Sequence, residues 1–240
     1  MLTDNIKIRC SAIGYIMTEP KLKSEKEKGE LSATAKVHMS EIFVRIKYGR
    51  HTDNTNKYTI KGNMVEEDSL TLYSKHHRRF FRKNKEQFEN EFISGTPDII
   101  DGNRIIDIKS SWDIFTFFQN NEDNLNKHYY WQLQGYMALT GATSASLAYC
   151  LVSTPDSIIS DEKHRLFYRM NAATEDNLDY QKACEELERN MVYDDIPLCD
   201  RLIEIDIERN NEDIQRIYDR VGKCVEYMNS RYGHLLNPTL

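Results

Sequence analysis

The stretch "GTPDIIDGNRIIDIKSSWD", Gly95 to Asp113, restricts the fold more than any other part of the chain. Two β-branched runs, Asp98 to Asp101 and Arg104 to Lys109, flank the pair Gly102-Asn103. Glycine at the first central position of a two-residue loop supplies the positive φ that such a hairpin turn needs. This loop pairs Arg104 with Asp101, Ile105 with Ile100 and Ile106 with Ile99, and it sets Asp107 opposite Asp98. A loop at Asp101-Gly102 would move Asp98 to a diagonal position on the same face. Directly opposed residues hold their Cβ atoms roughly 4.5–5.5 Å apart. Lys109, two residues beyond Asp107, points the same way, whereas Ile106 and Ile108 point oppositely, toward a core.

Two like charges side by side destabilise a strand pair unless a cation lies between them. Lys109 supplies one positive charge, and a bound divalent metal would supply the rest. Two carboxylates leave positions open for water and phosphate, which is how Mg²⁺ is held. A solvent-facing side of an amphipathic hairpin would also carry acids and a lysine. The tripeptide D-x-K alone does not separate these readings.

Around the hairpin the pattern alternates between helix and strand. A helix is predicted over Ser32 to Tyr48, with Ile42, Val44 and Ile46 among its apolar positions and Gly49 closing it. After the polar loop "TDNTNK", a second helix runs from Gly62 with Met64, Val65, Leu70 and Leu72 toward the core. Phe92-Ile93 begins the sheet, and "FTFFQNNEDNLNK" connects the hairpin to the next helix, "HYYWQLQGYMALTG". There Tyr130, Leu133 and Met137 form a core stripe, while Gln132 and Tyr136 lie four apart on a neighbouring face. A strand over Ser144 to Val152, an acidic helix near 174–190, the short strand "RLIEIDI" and a final helix near 211–232 follow. The pattern predicts an α/β (α+β) fold, a mixed central sheet flanked by helices, with all 240 residues in one domain.

Charge is distributed unevenly. The net charge is −6, yet residues 156–220 hold 18 acids against 9 Lys/Arg. The basic run "KHHRRFFRKNK", Lys75 to Lys85, packs six Lys/Arg and two histidines around Phe80 and Phe81. Lys75, Arg78, Arg79, Arg82 and Lys83 are therefore candidate phosphate contacts, with a solvated helix end as the plain alternative. His76, His77 and His128 lack a partner at metal spacing and are expected at the surface, and Trp112 and Trp131 in packing. Five widely spaced cysteines with no C-x-x-C pair predict reduced thiols in a cytoplasmic setting. The same spacing predicts no cysteine-ligated zinc and no iron–sulfur cluster. No apolar run is long enough for a membrane span, and "MLTDNIKIRC" lacks the apolar region of a signal peptide.

In this order the pieces resemble the PD-(D/E)XK nuclease superfamily. Pro97-Asp98 with Asp107-Ile108-Lys109 matches its signature, and Gln132 to Tyr136 matches the Q-x-x-x-Y motif of the RecB-type branch. "KGNMVEEDS" resembles the G-x-x-x-E helix of phage lambda-type (YqaJ-like) recombination exonucleases; counting from Gly62 selects Glu66, although Glu67 and Asp68 adjoin it. The resemblance spans about Lys61 to Val152 and implies a restriction-endonuclease-like core.

The resemblance implies that Asp98 and Asp107 hold Mg²⁺ (or Mn²⁺ in its place), that the Ile108 carbonyl adds a ligand, and that Glu66 binds directly or through water. Lys109 would orient or deprotonate the attacking water or stabilise the phosphate, helped in the former case by a lowered pKa. Gln132 and Tyr136 would position Lys109, the water or a DNA phosphate. It further implies a 5′→3′ exonuclease on double-stranded DNA that feeds recombination, a homo-oligomer in the form of a trimeric ring, and a single-strand annealing protein as partner. A structure-specific or restriction-type endonuclease on the same core stays open, as does an inactive DNA-binding subunit. Intact Asp98, Asp107 and Lys109 argue against the last.

Overall fold

The computed structural model describes residues 6–53 and 55–236. The first five residues, on which the leader expectation partly rests, and Asn54 of the polar loop lie outside them. The chain opens with β1 (Ile8–Arg9), a 3₁₀ turn at Cys10–Ala12, α1 (Ile13–Ile16), α2 (Lys23–Glu27) and α3 (Ala33–Tyr48). Helices α4 (Lys57–Met64) and α5 (Glu66–His76) follow, then strands β2 (Phe88–Glu89), β3 (Ile93–Gly95), β4 (Ile99–Asp101) and β5 (Arg104–Ser110). Next come α6 (Ile114–Phe118), α7 (Lys127–Thr140), β6 (Ser144–Cys150), α8 (Asp156–Met170), α9 (Leu178–Arg189), β7 (Leu202–Glu208) and α10 (Asn211–Leu236).

The strands make the expected mixed central sheet and a second, smaller one. A four-stranded sheet runs β4-β5-β6-β7, and a small one runs β1-β3-β2. Ile93 therefore starts the small sheet, not the central one. The break falls at Pro97, which has no N–H to continue a ladder. Within the larger sheet β5 and β6 are parallel, as the crossover through α7 requires, and both outer pairings are antiparallel.

Strand β5 is covered on both faces, which an amphipathic hairpin would not be. Ile105 packs with Leu133 and Met137 of α7, with α3 and with α10 in the largest cluster. Ile106 packs on the opposite face against Tyr73, Phe81 and Ile99. Each such burial contributes about 1.5–3 kcal/mol. Asp107 shares the Ile105 face and is only 1% exposed, so it lies at the end of a core, not on a wet surface. Helix α7 approaches α1 closely because Gly135 has no side chain: a Cβ there would lie 2.5 Å from Ile13 Cδ1.

Several boundaries differ from the sequence reading. The helix predicted from Gly62 is two helices broken at Val65, which turns fully into the core while Met64 is exposed. Helix α4 starts before Gly62 because the Asn56 side chain accepts the Tyr58 and Thr59 N–H groups. Val44 is exposed, and Tyr130 is only half-buried. Helix α8 was not predicted, although Ile158, Ile159 and Leu166 give it a buried stripe. The acidic helix begins at Leu178, later than expected, where Asn177 caps it.

Candidate active site

The hairpin has the register its glycine dictates. Gly102 has φ +59, and Ile99, Ile100 and Asp101 pair with Ile106, Ile105 and Arg104. Asp98 stands one residue ahead of β4, and its Oδ2 accepts the Ile108 N–H at 2.8 Å, so a side chain continues the ladder where backbone pairing stops. Asp98, Asp107 and Lys109 line one cavity of about 410 Å³, together with Glu66 of α5 and Gln132 and Tyr136 of α7. All six side chains proposed from sequence for the chemistry thus share one cavity.

Helix α7 reaches the carboxylates through a short relay. Gln132 Nε2 donates to Asp107 Oδ1 at 3.3 Å and to the Tyr136 hydroxyl at 2.9 Å, using both hydrogens of one amide. Gly95 makes room for this tyrosine: a Cβ there would stand 2.6 Å from Tyr136 Cε1. Lys109 Nζ lies 2.6 Å from Asp107 Oδ2 and 4.8 Å from the centre of the Tyr129 ring.

The electrostatics follow from crowding. Burial, then the neighbouring Asp107, push Asp98 up to about 7, against the pull of Lys109 and the Ile108 N–H. Burial works against the Lys109 ammonium, but Asp107 and then Asp98 more than offset it, so its pKa lies above the usual lysine range. Deprotonation of the attacking water would be helped by a lowered pKa, whereas stabilising the phosphate needs no such shift. With both carboxylates beside it, Lys109 is held as a cation. Burial, aided by Asp107, also raises the Tyr136 phenol.

These residues fit a divalent cation with an incomplete protein shell. Asp107 Oδ2 is buried, and the Lys109 ammonium 2.6 Å away is its partner. One ammonium beside two crowded carboxylates leaves negative charge that a divalent cation would neutralise. Among the described residues no group of three His, Cys, Asp or Glu side chains could hold a metal alone. Mg²⁺ commonly takes one or two carboxylates and completes its shell with water and phosphate, which two acids and a backbone carbonyl permit. Glu66 is on the cavity wall, half-exposed, and pairs with Lys83.

The basic run begins in the last turn of α5 and continues beyond it. Helix α5 stops at His76, and Arg78 adopts a left-handed φ of +50 that turns the chain back. Of the five candidate phosphate contacts, Arg79 is committed to Asp101 through two hydrogen bonds of 2.7 and 2.6 Å, and Lys83 to Glu66. Lys75, Arg78 and Arg82 have no acidic partner among the described residues. His77 is not a bare surface residue either, since its Nε2 lies 2.9 Å from Glu204.

Two residues near the site escaped the sequence reading. Tyr129 precedes Gln132 by three on α7, and that helical spacing is a signal that could have found it. Lys61 gave no signal. It is 1% exposed and donates to the Ser111 and Trp112 carbonyls at 2.8 and 2.7 Å, tying α4 to the end of β5. Burial lowers its pKa to about 8.

No family model and no curated protein sequence matches the chain. Solved structures do. A phage related exonuclease from Haemophilus somnus 129PT is 31% identical over 96% of this chain and 97% of its own, with a TM-score of 0.77. An alkaline exonuclease from Laribacter hongkongensis shares the fold at 15% identity and a TM-score of 0.64, over 96% of this chain and 91% of that one. The same enzyme in complex with dAMP gives 15% identity and a TM-score of 0.62, over 98% and 97%.

Proposed function

The chain belongs to the phage lambda-exonuclease (YqaJ-like) family of PD-(D/E)XK nucleases, and on that premise we propose that it is a Mg²⁺-dependent exonuclease acting on double-stranded DNA. The observation that carries this reading is the pair of carboxylates Asp98 and Asp107 at one cavity, with Lys109 Nζ 2.6 Å from Asp107 Oδ2. When bound there, Mg²⁺ (or Mn²⁺) supplies an acidified water and neutralises charge on the phosphoryl group.

Asp98, Asp107 and the Ile108 carbonyl would hold the ion. Lys109, partly exposed at the cavity, would orient or deprotonate the attacking water or stabilise the phosphate. Gln132 fixes Asp107 and is itself braced by Tyr136. Glu66, now paired with Lys83, would bind the ion directly or through water.

Family membership further supports a 5′→3′ direction, a place in phage recombination beside a single-strand annealing protein, and one nuclease domain spanning the chain. It also supports a trimeric ring with the Lys75–Lys85 run facing its channel and the acidic 156–220 region outside. A ring would keep a chain of net charge −6 on DNA between cuts, since bulk attraction would not. A cytoplasmic location accords with the reading; among the described residues no helix is long and apolar enough to cross a membrane.

One linear duplex labelled separately at its 5′ and 3′ ends, digested with Mg²⁺ or with EDTA, tests the reading. Metal-dependent release of the 5′ label first, with covalently closed circles left intact, is expected. Rapid cutting of closed circles would establish an endonuclease instead, and no cleavage at all would leave a DNA-binding subunit. Light scattering gives the assembly state.

A further inference from the structure

The exposed ring of Phe80 is held out, not left over. Its side chain is 84% exposed, although both neighbours are anchored. On one side Arg79 bonds twice to Asp101 and lies 4.9 Å over the Phe81 ring. On the other, Phe81 is buried against Tyr73 at 4.9 Å between ring centres, and its N–H donates to Ser74 Oγ at 3.2 Å. Downstream, Asn84 donates its N–H to the Asp98 carbonyl at 2.7 Å and its side-chain amide to the Pro97 carbonyl at 3.0 Å. The loop that carries Phe80 is thereby fastened to the residues that open the catalytic hairpin.

A groove of about 700 Å³ runs between the end of α5 and this loop, and Phe80 lines it. Lys75, Arg78, Arg82 and Lys85 line it as well, none with an acidic partner among the described residues; Glu67 is the acid on its wall. Leu70 and Lys83 belong to both this groove and the catalytic cavity, so the two are contiguous. Unpaired cations around a rigid, solvent-facing aromatic ring are the equipment for unpaired nucleic acid: the cations track phosphates and the ring stacks on any base. A base inside a duplex is stacked on both faces and would have to be unstacked first.

We propose that this groove is a binding site for single-stranded DNA leading away from the catalytic cavity, with Phe80 stacking on an unpaired base and Lys75, Arg78, Arg82 and Lys85 holding its phosphates. The proposal rests on the reading of the chain as a DNA nuclease and adds which form of DNA meets the loop.

Binding in EDTA separates the two claims, because it needs no cleavage. A short single strand carrying 2-aminopurine, and a blunt duplex, are titrated against wild type, Phe80→Ala and Phe80→Trp, following anisotropy and fluorescence. Wild type should quench the 2-aminopurine. Phe80→Ala should lose the quenching and about tenfold or more in single-strand affinity, the scale of one stacked base. Phe80→Trp should keep both, and blunt-duplex affinity should stay at the wild-type level in all three. Wild-type single-strand binding by Phe80→Ala, an equal loss on duplex, or no single-strand binding by wild type overturns the proposal. Cleavage by wild type with Mg²⁺ tests the nuclease reading separately, so either claim can fail while the other stands.

Discussion

Substituting Asp98→Asn in the metal-free protein should stabilise it increasingly as the pH rises. The folded structure lifts the Asp98 carboxyl from 3.8 to about 7, chiefly by burial and then by Asp107. A carboxyl with a raised folded pKa keeps its proton longer folded than unfolded. Folding stability therefore falls as pH rises between the two values and levels off above the upper one. At about 1.4 kcal/mol per pK unit, that gap corresponds to roughly 4 kcal/mol across the whole window. The amide of Asp98→Asn can still accept the Ile108 N–H while carrying no charge, so the variant lacks this slope. Urea unfolding in EDTA from about pH 5 to about pH 8 should show it gaining roughly 3 kcal/mol on wild type, nearly all below pH 7. Millimolar Mg²⁺ should shrink or reverse the gap, because the ion binds folded wild type and adds RT ln(1 + [L]/Kd). Parallel curves, or wild type gaining on the variant with rising pH, would refute the assignment of a strained carboxylate pair.

Asp107→Asn and Lys109→Ala should each cut metal-dependent cleavage by roughly 10²-fold or more while circular dichroism stays native, since both side chains line the cavity. Lys61→Ala should lower unfolding free energy by about 2–5 kcal/mol in chemical denaturation, because it leaves the Ser111 and Trp112 carbonyls without their donor. Gly95→Ala should displace Tyr136 and with it the Gln132 relay, lowering kcat by up to about 10²-fold in single-turnover cleavage. Gly49→Ala, where a Cβ meets nothing but φ is +63, serves as its control: it should cost stability in thermal melts and leave kcat unchanged.

Features that depend on neighbours along the chain were legible in the sequence. A glycine at the first turn position and strand alternation were enough to place Asp98, Asp107 and Lys109 together, because both act within about ten residues. Helical spacing likewise put Gln132 and Tyr136 on one face of α7, and Gly49 and Gly141 closed α3 and α7 where expected. Features that depend on what arrives from elsewhere were not legible. Nothing near Lys61 announces that two carbonyls fifty residues on would take its ammonium. Nothing in "HHRRFF" distinguishes Arg79, which Asp101 neutralises, from Arg78, which no described acid does. The raised pKa of Asp98, the cationic state of Lys109 and the outward pose of Phe80 all come from burial and from charges on other elements. Desolvation and long-range pairing are set by packing in three dimensions, and a local pattern carries no record of them.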